Sequence, residues 1–153
     1  DYNVEGVNDK SDAYYDLAQD LLDQDVPLHG FSAQTHLSIE YGFPGDLQEN
    51  LERFEVLGLG TALTEVDVRM ALPDGDPTEA QLEKQAAYYV QTLEACLNVD
   101  SCGSYTVWGF PDRYSWVPVT FEGEGGATIM WDDYTPKPAY DALLDTLLEA
   151  SGS

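Results

Sequence analysis

Cations are what this sequence has least of: six Lys and Arg stand against 29 Asp and Glu, a formal net charge of −23. Such a chain repels phosphate, which argues against nucleic acid and against an anionic membrane as partner. Acidity by itself selects no substrate; it fits a soluble, secreted protein acting on a neutral one, and it suits low pH or high salt. Histidine and cysteine are nearly absent, with two of each. Cys96 and Cys102, six positions apart, lack the Cys-x-x-Cys spacing of paired zinc ligands, so no metal site is expected. Of the two readings left, a local disulfide in an oxidising compartment is favoured over free thiols. No Gly-x-Gly-x-x-Gly follows any apolar run, so a dinucleotide fold has no support. No run is long enough to span a bilayer, and no signal peptide is visible. The chain also lacks an initiator Met and opens on DYNVEG, as a mature chain cut inside a longer one would.

What is present is a foldable chain of alternating type. The 153 residues, with three Trp and ten Tyr, suffice for one domain with a real core. Residues 1–4 read as the tail of a strand. Ser11 caps a helix to about Asp23, with Tyr14, Leu17, Ala18, Leu21 and Leu22 as its apolar stripe. Leu28 to Leu37 reads as a strand, with Gly30, Ser32, Gln34 and His36 on one face. Asp46 caps the next helix, and Gly58 and Gly60 stop it. Thr61 to Arg69 is the strand the others are organised around. Its alternation sets Ala62, Thr64, Val66 and Val68 against Leu63, Glu65, Asp67 and Arg69. Thr78 and Gln81 form a capping-box pattern before a long helix. Tyr105 to Phe110 is a strand, 111–138 a long aromatic and glycine-rich loop, and Tyr140 to Leu148 the last helix. Ser151 to Ser153 reads as a frayed tail. The order β-α-β-α-β-α-β-α calls for a parallel sheet with outer helices. Acids near the carboxyl end of such a strand stand where sites are built, although an exposed acidic face accounts for Glu65 and Asp67 equally well.

Five stretches in order carry a resemblance: DYNVEG at 1–6, AQTHL at 33–37, TEVDVRM at 64–70, TVWGFPDRYSW at 106–116 and KPAY at 137–140. Together they resemble the C-terminal half of the family 10 glycoside hydrolases, the endo-1,4-β-xylanases, over essentially the whole chain. The resemblance implies residues 1–150 as the C-terminal half of a (β/α)8 TIM barrel, with about four βα units. It implies a retaining hydrolase that cuts xylan or xylo-oligosaccharides internally, is secreted, and needs no cofactor or metal. Glu65 then matches the nucleophile, with His36 and Asp67 orienting it. Gln34 matches a residue lining the cleft, Trp108 and Trp116 the walls of the glycon subsites, and Tyr2 and Asn3 the aglycon side. The Cys96–Cys102 pair resembles a local disulfide of the family.

The chemistry of these residue types agrees. Retaining hydrolysis needs one ionised carboxylate to attack and a second carboxyl as acid/base. A histidine beside the first keeps it ionised, and a second acid on the other ring nitrogen selects the tautomer. Taken alone, His36 reads as structural, the two tryptophans as core, and Asp67 with Arg69 as a salt bridge. His29 has no role, and Asp112, Arg113, Asp132 and Asp133 read as solvated loop charges. The family's acid/base is a Glu after an Asn, and no such pair stands at a strand end here. The resemblance therefore implies that the missing N-terminal half supplies it, that this half is a partner, and that the chain alone is inactive. The competing readings are a non-catalytic carbohydrate binder or inhibitor on a decayed barrel, and a related β-1,4-glucanase.

Overall fold

A computed structural model describes residues 1–152. One strand, β3 (Gly60–Ala71), is shared by every other strand. On one side, β1 (Gly30–Ala33) and β2 (His36–Ser38) run parallel to its two halves; on the other, β4 (Cys102–Val107) is parallel and β5 (Glu124–Gly125) antiparallel. Residues 1–4 are not a regular strand, yet they extend the ladder beyond β1: Gln34 N–H donates to the Asp1 carbonyl at 2.9 Å. Helices α1 (Asp9–Asp23), α2 (Leu47–Val56), α3 (Glu79–Leu97) and α5 (Pro138–Ser151) alternate with the strands. The tail expected from Ser151 is thus helical at that residue and capped at Gly152; Ser153 lies outside the described residues.

The helix starts show which polar groups won the free amides. The cap of α1 falls three residues earlier than its pattern predicts: Asn8 takes it, and Ser11 answers from the third position. The Thr78–Gln81 box forms as read. Asp46 precedes α2 without capping it; its carboxylate instead accepts from the Val7 amide at 3.1 Å. That carboxylate lies so close to Gly6 that a Cβ there would force the Asp46 side chain to shift. Cys96 and Cys102 form a disulfide joining the end of α3 to the start of β4.

The core lies between β3 and the helices. Leu63, Val66, Val68 and Met70 pack with Leu47, Leu51, Tyr89 and Leu93, while a second cluster seats Phe54 on Ala18 and Leu59. Leu63 was expected on the face of Glu65, opposite Val66 and Val68. It joins them because a register shift lies between Leu63 and Val66, and an extra residue reverses the alternation. Helix α3 adds polar staples: Gln85 donates to the Val68 and Gly126 carbonyls at 2.7 and 2.6 Å, and Tyr89 to Ala127 at 2.8 Å. Burial pushes the Tyr89 hydroxyl well up, so it stays a donor. The long loop 111–138 is consequently ordered, with a 3-10 turn (Asp112–Tyr114), the short helix α4 (Val117–Thr120) and β5 inside it.

Asp112 is not a solvated charge. It accepts from Thr128 and pairs with the fully buried Lys137 at 2.5 Å, whose ammonium also donates to the Gly126 carbonyl. Burial pulls the Lys137 ammonium down, and Asp112 opposes it. Among the described residues no strand lies beside the far edge of β4, and Gly103, Ser104 and Thr106 are exposed there. Next to it Leu143, Leu144 and Leu147 of α5 line an apolar groove with Tyr105 and Val107.

Two outcomes follow for stability. Lys137→Met leaves Asp112 without its cation and should lower unfolding free energy by about 3 kcal/mol in urea titration; a loss below about 1 kcal/mol would mean the pair behaves like an exposed one. Raising NaCl from about 0.1 to about 1 M shortens the screening length from about 10 to about 3 Å. Relief of acidic self-repulsion should then raise Tm by several degrees, and a flat or falling Tm would count against it.

Candidate active site

The carboxyl end of β3 meets β2 and the segment after β4, and the side chains singled out from sequence converge there. Glu65, His36 and Asp67 form one line. His36 Nε2 lies 3.3 Å from Glu65 Oε2, and His36 Nδ1 lies 3.0 Å from Asp67 Oδ1. Asp67 is 1% exposed, whereas the Glu65 side chain keeps 25% of its surface. The buried acid thus holds the ring from behind, and the open acid faces the cleft. The other oxygen of Asp67 accepts from Trp116 Nε1 at 2.6 Å. The Trp116 indole N–H is therefore committed to the protein. Its ring lies 4.8 Å from the His36 ring, and Trp108 closes the other side at 6.4 Å.

Two opposed effects act on His36. Burial lowers its pKa, but hydrogen bonds and negative charge from Asp67, and then Glu65, outweigh it and leave the pKa above the ordinary 6.5. Arg69 pairs with Glu124 at 2.7 Å and covers the Phe121 ring at 4.1 Å. The Asp67–Arg69 pairing considered from sequence is absent.

Backbone irregularity aims the side chains. Glu65 sits within the shifted stretch of β3, and its N–H donates to the Gln34 carbonyl at 2.9 Å. Opposite it, Thr35 interrupts the strand read over 28–37 with φ +72°. A β-branched residue in this region is strained, on the order of 1–3 kcal/mol. Thr35 is fully buried, and its amide donates to the Glu5 carboxylate at 3.0 Å.

The cleft has two lobes. Tyr2, Gln34, His36, Glu65, Trp108, Trp116 and Phe121 line about 510 Å³, and Tyr2, Asn3, Glu5, His36, Tyr41 and Arg69 are among the residues around an adjoining 670 Å³. All the residues expected at the site are therefore brought together, with Asn3 in the second lobe. Among the described residues of the first lobe, Glu65 alone carries a carboxylate. Trp108 is 45% exposed and presents a broad apolar face. Phe121 and Glu5 went unassigned in the sequence; Glu5 stood in a quoted stretch, and an acid between the apolar Val4 and a glycine was its only signal. The described residues hold no group of three His, Cys, Asp or Glu placed for a metal ion. The arrangement offers an ionisable carboxylate on an open apolar wall, backed by a positively biased ring.

Comparison with known proteins places the family and the fold. The family model described as glycosyl hydrolase family 10 matches residues 1–146. An endo-1,4-beta-xylanase of Agaricus bisporus is 41% identical over 145 residues, covering 95% of this chain and 42% of the relative. Endo-1,4-beta-xylanase C of Phanerodontia chrysosporium is 40% identical, covering 94% of this chain and 35% of its own. Among solved structures, xylanase 10B of Thermotoga petrophila RKU-1 in complex with xylobiose superposes with a TM-score of 0.91 at 36% identity, over 97% of this chain and 45% of that one. A glycosylated endo-beta-1,4-xylanase of Gloeophyllum trabeum gives 0.89 at 40% identity, with 97% and 45% covered. The chain spans less than half the length of each of these relatives, and its strands and helices are a partial barrel. The chain belongs to glycosyl hydrolase family 10.

Proposed function

We propose that this chain supplies the nucleophile-bearing half of a secreted, retaining endo-1,4-β-xylanase. The observation that carries the reading is Glu65: among the described residues it alone brings a carboxylate to its lobe of the cleft, with His36 3.3 Å behind it and tryptophans on either side. In this reading a Glu65 oxygen attacks the anomeric carbon of a xylose ring. The leaving oxygen takes its proton from a second carboxyl, about 5–5.5 Å away, contributed by the other half of the barrel. A covalent xylosyl ester forms on Glu65. Water then attacks the same carbon, the second carboxyl now removing its proton, and the ester bond breaks with retention.

The neighbours have distinct tasks. His36, held in one orientation by Asp67, keeps Glu65 ionised and fixes its rotamer. Trp116, anchored to Asp67 through its N–H, offers a ring face to the sugar, as does the exposed Trp108; flat indole faces suit pyranose C–H surfaces. Gln34 lines the reacting centre, while Tyr2 and Asn3 extend the cleft toward the aglycon side. The open edge of β4 and the apolar groove of α5 receive the rest of the barrel, so the chain on its own is inactive. The disulfide supports secretion into an oxidising compartment.

The test is covalent trapping. A 2-fluoro-xylobioside with an activated leaving group bypasses most of the need for acid catalysis. Added to the chain assembled with its N-terminal half, it should label the TEVDVR peptide at Glu65, and Glu65→Gln should abolish the label. A label on another residue would overturn the nucleophile; no label in the assembled protein would overturn the retaining enzyme.

The His36 site makes a separate prediction. Its folded pKa is raised, so its contribution to stability is full below pH 6.5 and is lost as pH rises through the folded midpoint. NMR titration should place that midpoint above 6.5, and Asp67→Asn should lower it. The stability gap to His36→Gln should shrink over the same window; a gap that widens with rising pH would reverse the sign.

A further inference from the structure

Glu5 is the least explained acid in the molecule. It is 6% exposed, yet it forms no ion pair among the described residues. Burying a carboxylate without a cation is costly, so its few partners matter. Its backbone is gripped from one side: buried Asn50 donates to the Val4 and Glu5 carbonyls at 2.7 and 3.0 Å, and Arg53 Nε in turn donates to Asn50 Oδ1 at 2.7 Å. Gly6 follows, beside the Asp46 carboxylate, which holds the next amide, that of Val7, at 3.1 Å. The segment is therefore rigid on both sides of Glu5, and the side chain is aimed at one amide, that of Thr35.

That amide needs an unusual partner. On the edge of the sheet facing residues 1–5, Gln34 N–H reaches the Asp1 carbonyl. The next residue, Thr35, has φ +72° and its N–H finds a carboxylate instead of a carbonyl. Its own carbonyl turns to β3 and accepts from the Asp67 amide at 3.4 Å. Thr35 thus joins Gln34, whose carbonyl holds the Glu65 amide, to His36, whose ring lies between Glu65 and Asp67. A charge-assisted hydrogen bond is the strong kind, suited to holding a strained residue.

We infer that Glu5 is a positioning residue: its carboxylate latches Thr35 in the left-handed conformation and thereby sets His36 against Glu65. The inference rests on the proposed role of Glu65. Glu5 acts through the backbone, its carboxylate engaged by the Thr35 amide. Without it, Thr35 relaxes toward ordinary strand geometry, the Gln34–His36 stretch straightens, and the ring leaves its place between the two acids. Glycine at position 35 adopts positive φ without strain and would make the latch unnecessary.

The experiment compares four forms of the full-length protein: unchanged, Glu5→Gln, Glu5→Ala, and Glu5→Ala with Thr35→Gly. Each is read by the rate of fluoro-xylobioside labelling at Glu65 and by the imidazole NMR signals of His36. Glu5→Ala should slow labelling at least about tenfold and shift the His36 signals, a cost typical of a misplaced catalytic group. Glu5→Gln keeps an acceptor oxygen and should retain most of the rate. Adding Thr35→Gly should restore the rate to within about threefold, the non-additivity expected of coupled residues. A purely structural Glu5 would show no such rescue, and equal labelling in Glu5→Ala would likewise overturn the latch. If Glu5→Ala does not fold, the Glu5→Ala, Thr35→Gly form decides: its His36 signals should match those of the unchanged protein, and displaced His36 signals would overturn the inference. Absence of label in the unchanged protein would instead overturn the role of Glu65, leaving the His36 signals to judge the latch.

Discussion

Everything at the site depends on one mismatch of register. Ala33 pairs with Leu63 and His36 with Asp67, so β3 uses four steps where its neighbour uses three. On the other side Leu63 pairs with Tyr105 and Val66 with Val107, and β3 again has one step more. The surplus residue reverses the alternation in mid-strand. Leu63 below it and Val66, Val68 and Met70 above it can then all enter the core, while Glu65, Asp67 and Arg69 are left to the cleft side. A regular strand would have sacrificed either Leu63 or the acids. Bulges serve this purpose beside active sites because they re-aim a side chain at the cost of one ladder rung.

The mismatch has to be paid for locally, and the molecule does so with polar groups in the interior. Thr35 takes up the strain opposite Glu65, with Glu5 on its amide. Gln85 and Tyr89 of α3 reach past β3 to the Gly126 and Ala127 carbonyls, tying down the loop that brings Trp116 to Asp67. Lys137 fastens the same loop through Asp112 and Gly126. These groups are almost all satisfied within the protein, as buried polar groups must be. The result is a firm support beneath an open wall, the condition for holding the proposed nucleophile in a fixed orientation without covering it.

Burial divides the labour among the acids. Asp67, out of solvent and bonded to Trp116, serves as the fixed counter-charge of His36. Glu65, on the same strand and only partly covered, remains accessible. The histidine between them is pulled down by burial and up, more strongly, by both carboxylates. Two acids of the same type and strand thus acquire different proposed tasks from their surroundings alone.

Much of this was determined by the sequence itself. Alternating apolar periods set the order of strands and helices, because each element must bury one face. The ordered stretches around Glu65, His36, Trp108 and Trp116 pointed to the family, and the Cys96–Cys102 spacing to a local bridge. What only the tertiary structure decided was less periodic. The shift between Leu63 and Val66 and the break at Thr35 arise from neighbouring strands, so no single stretch encodes them visibly. The cap on α1 went to Asn8 and the Asp46 carboxylate to Val7, since nearby side chains compete for the same amides. Asp112 read as a solvated loop charge because its partner Lys137 is 25 residues away in the chain. Glu5 carried no motif logic of its own: its partner is the amide of Thr35, 30 residues on, exposed to it by a backbone angle that composition and spacing do not record.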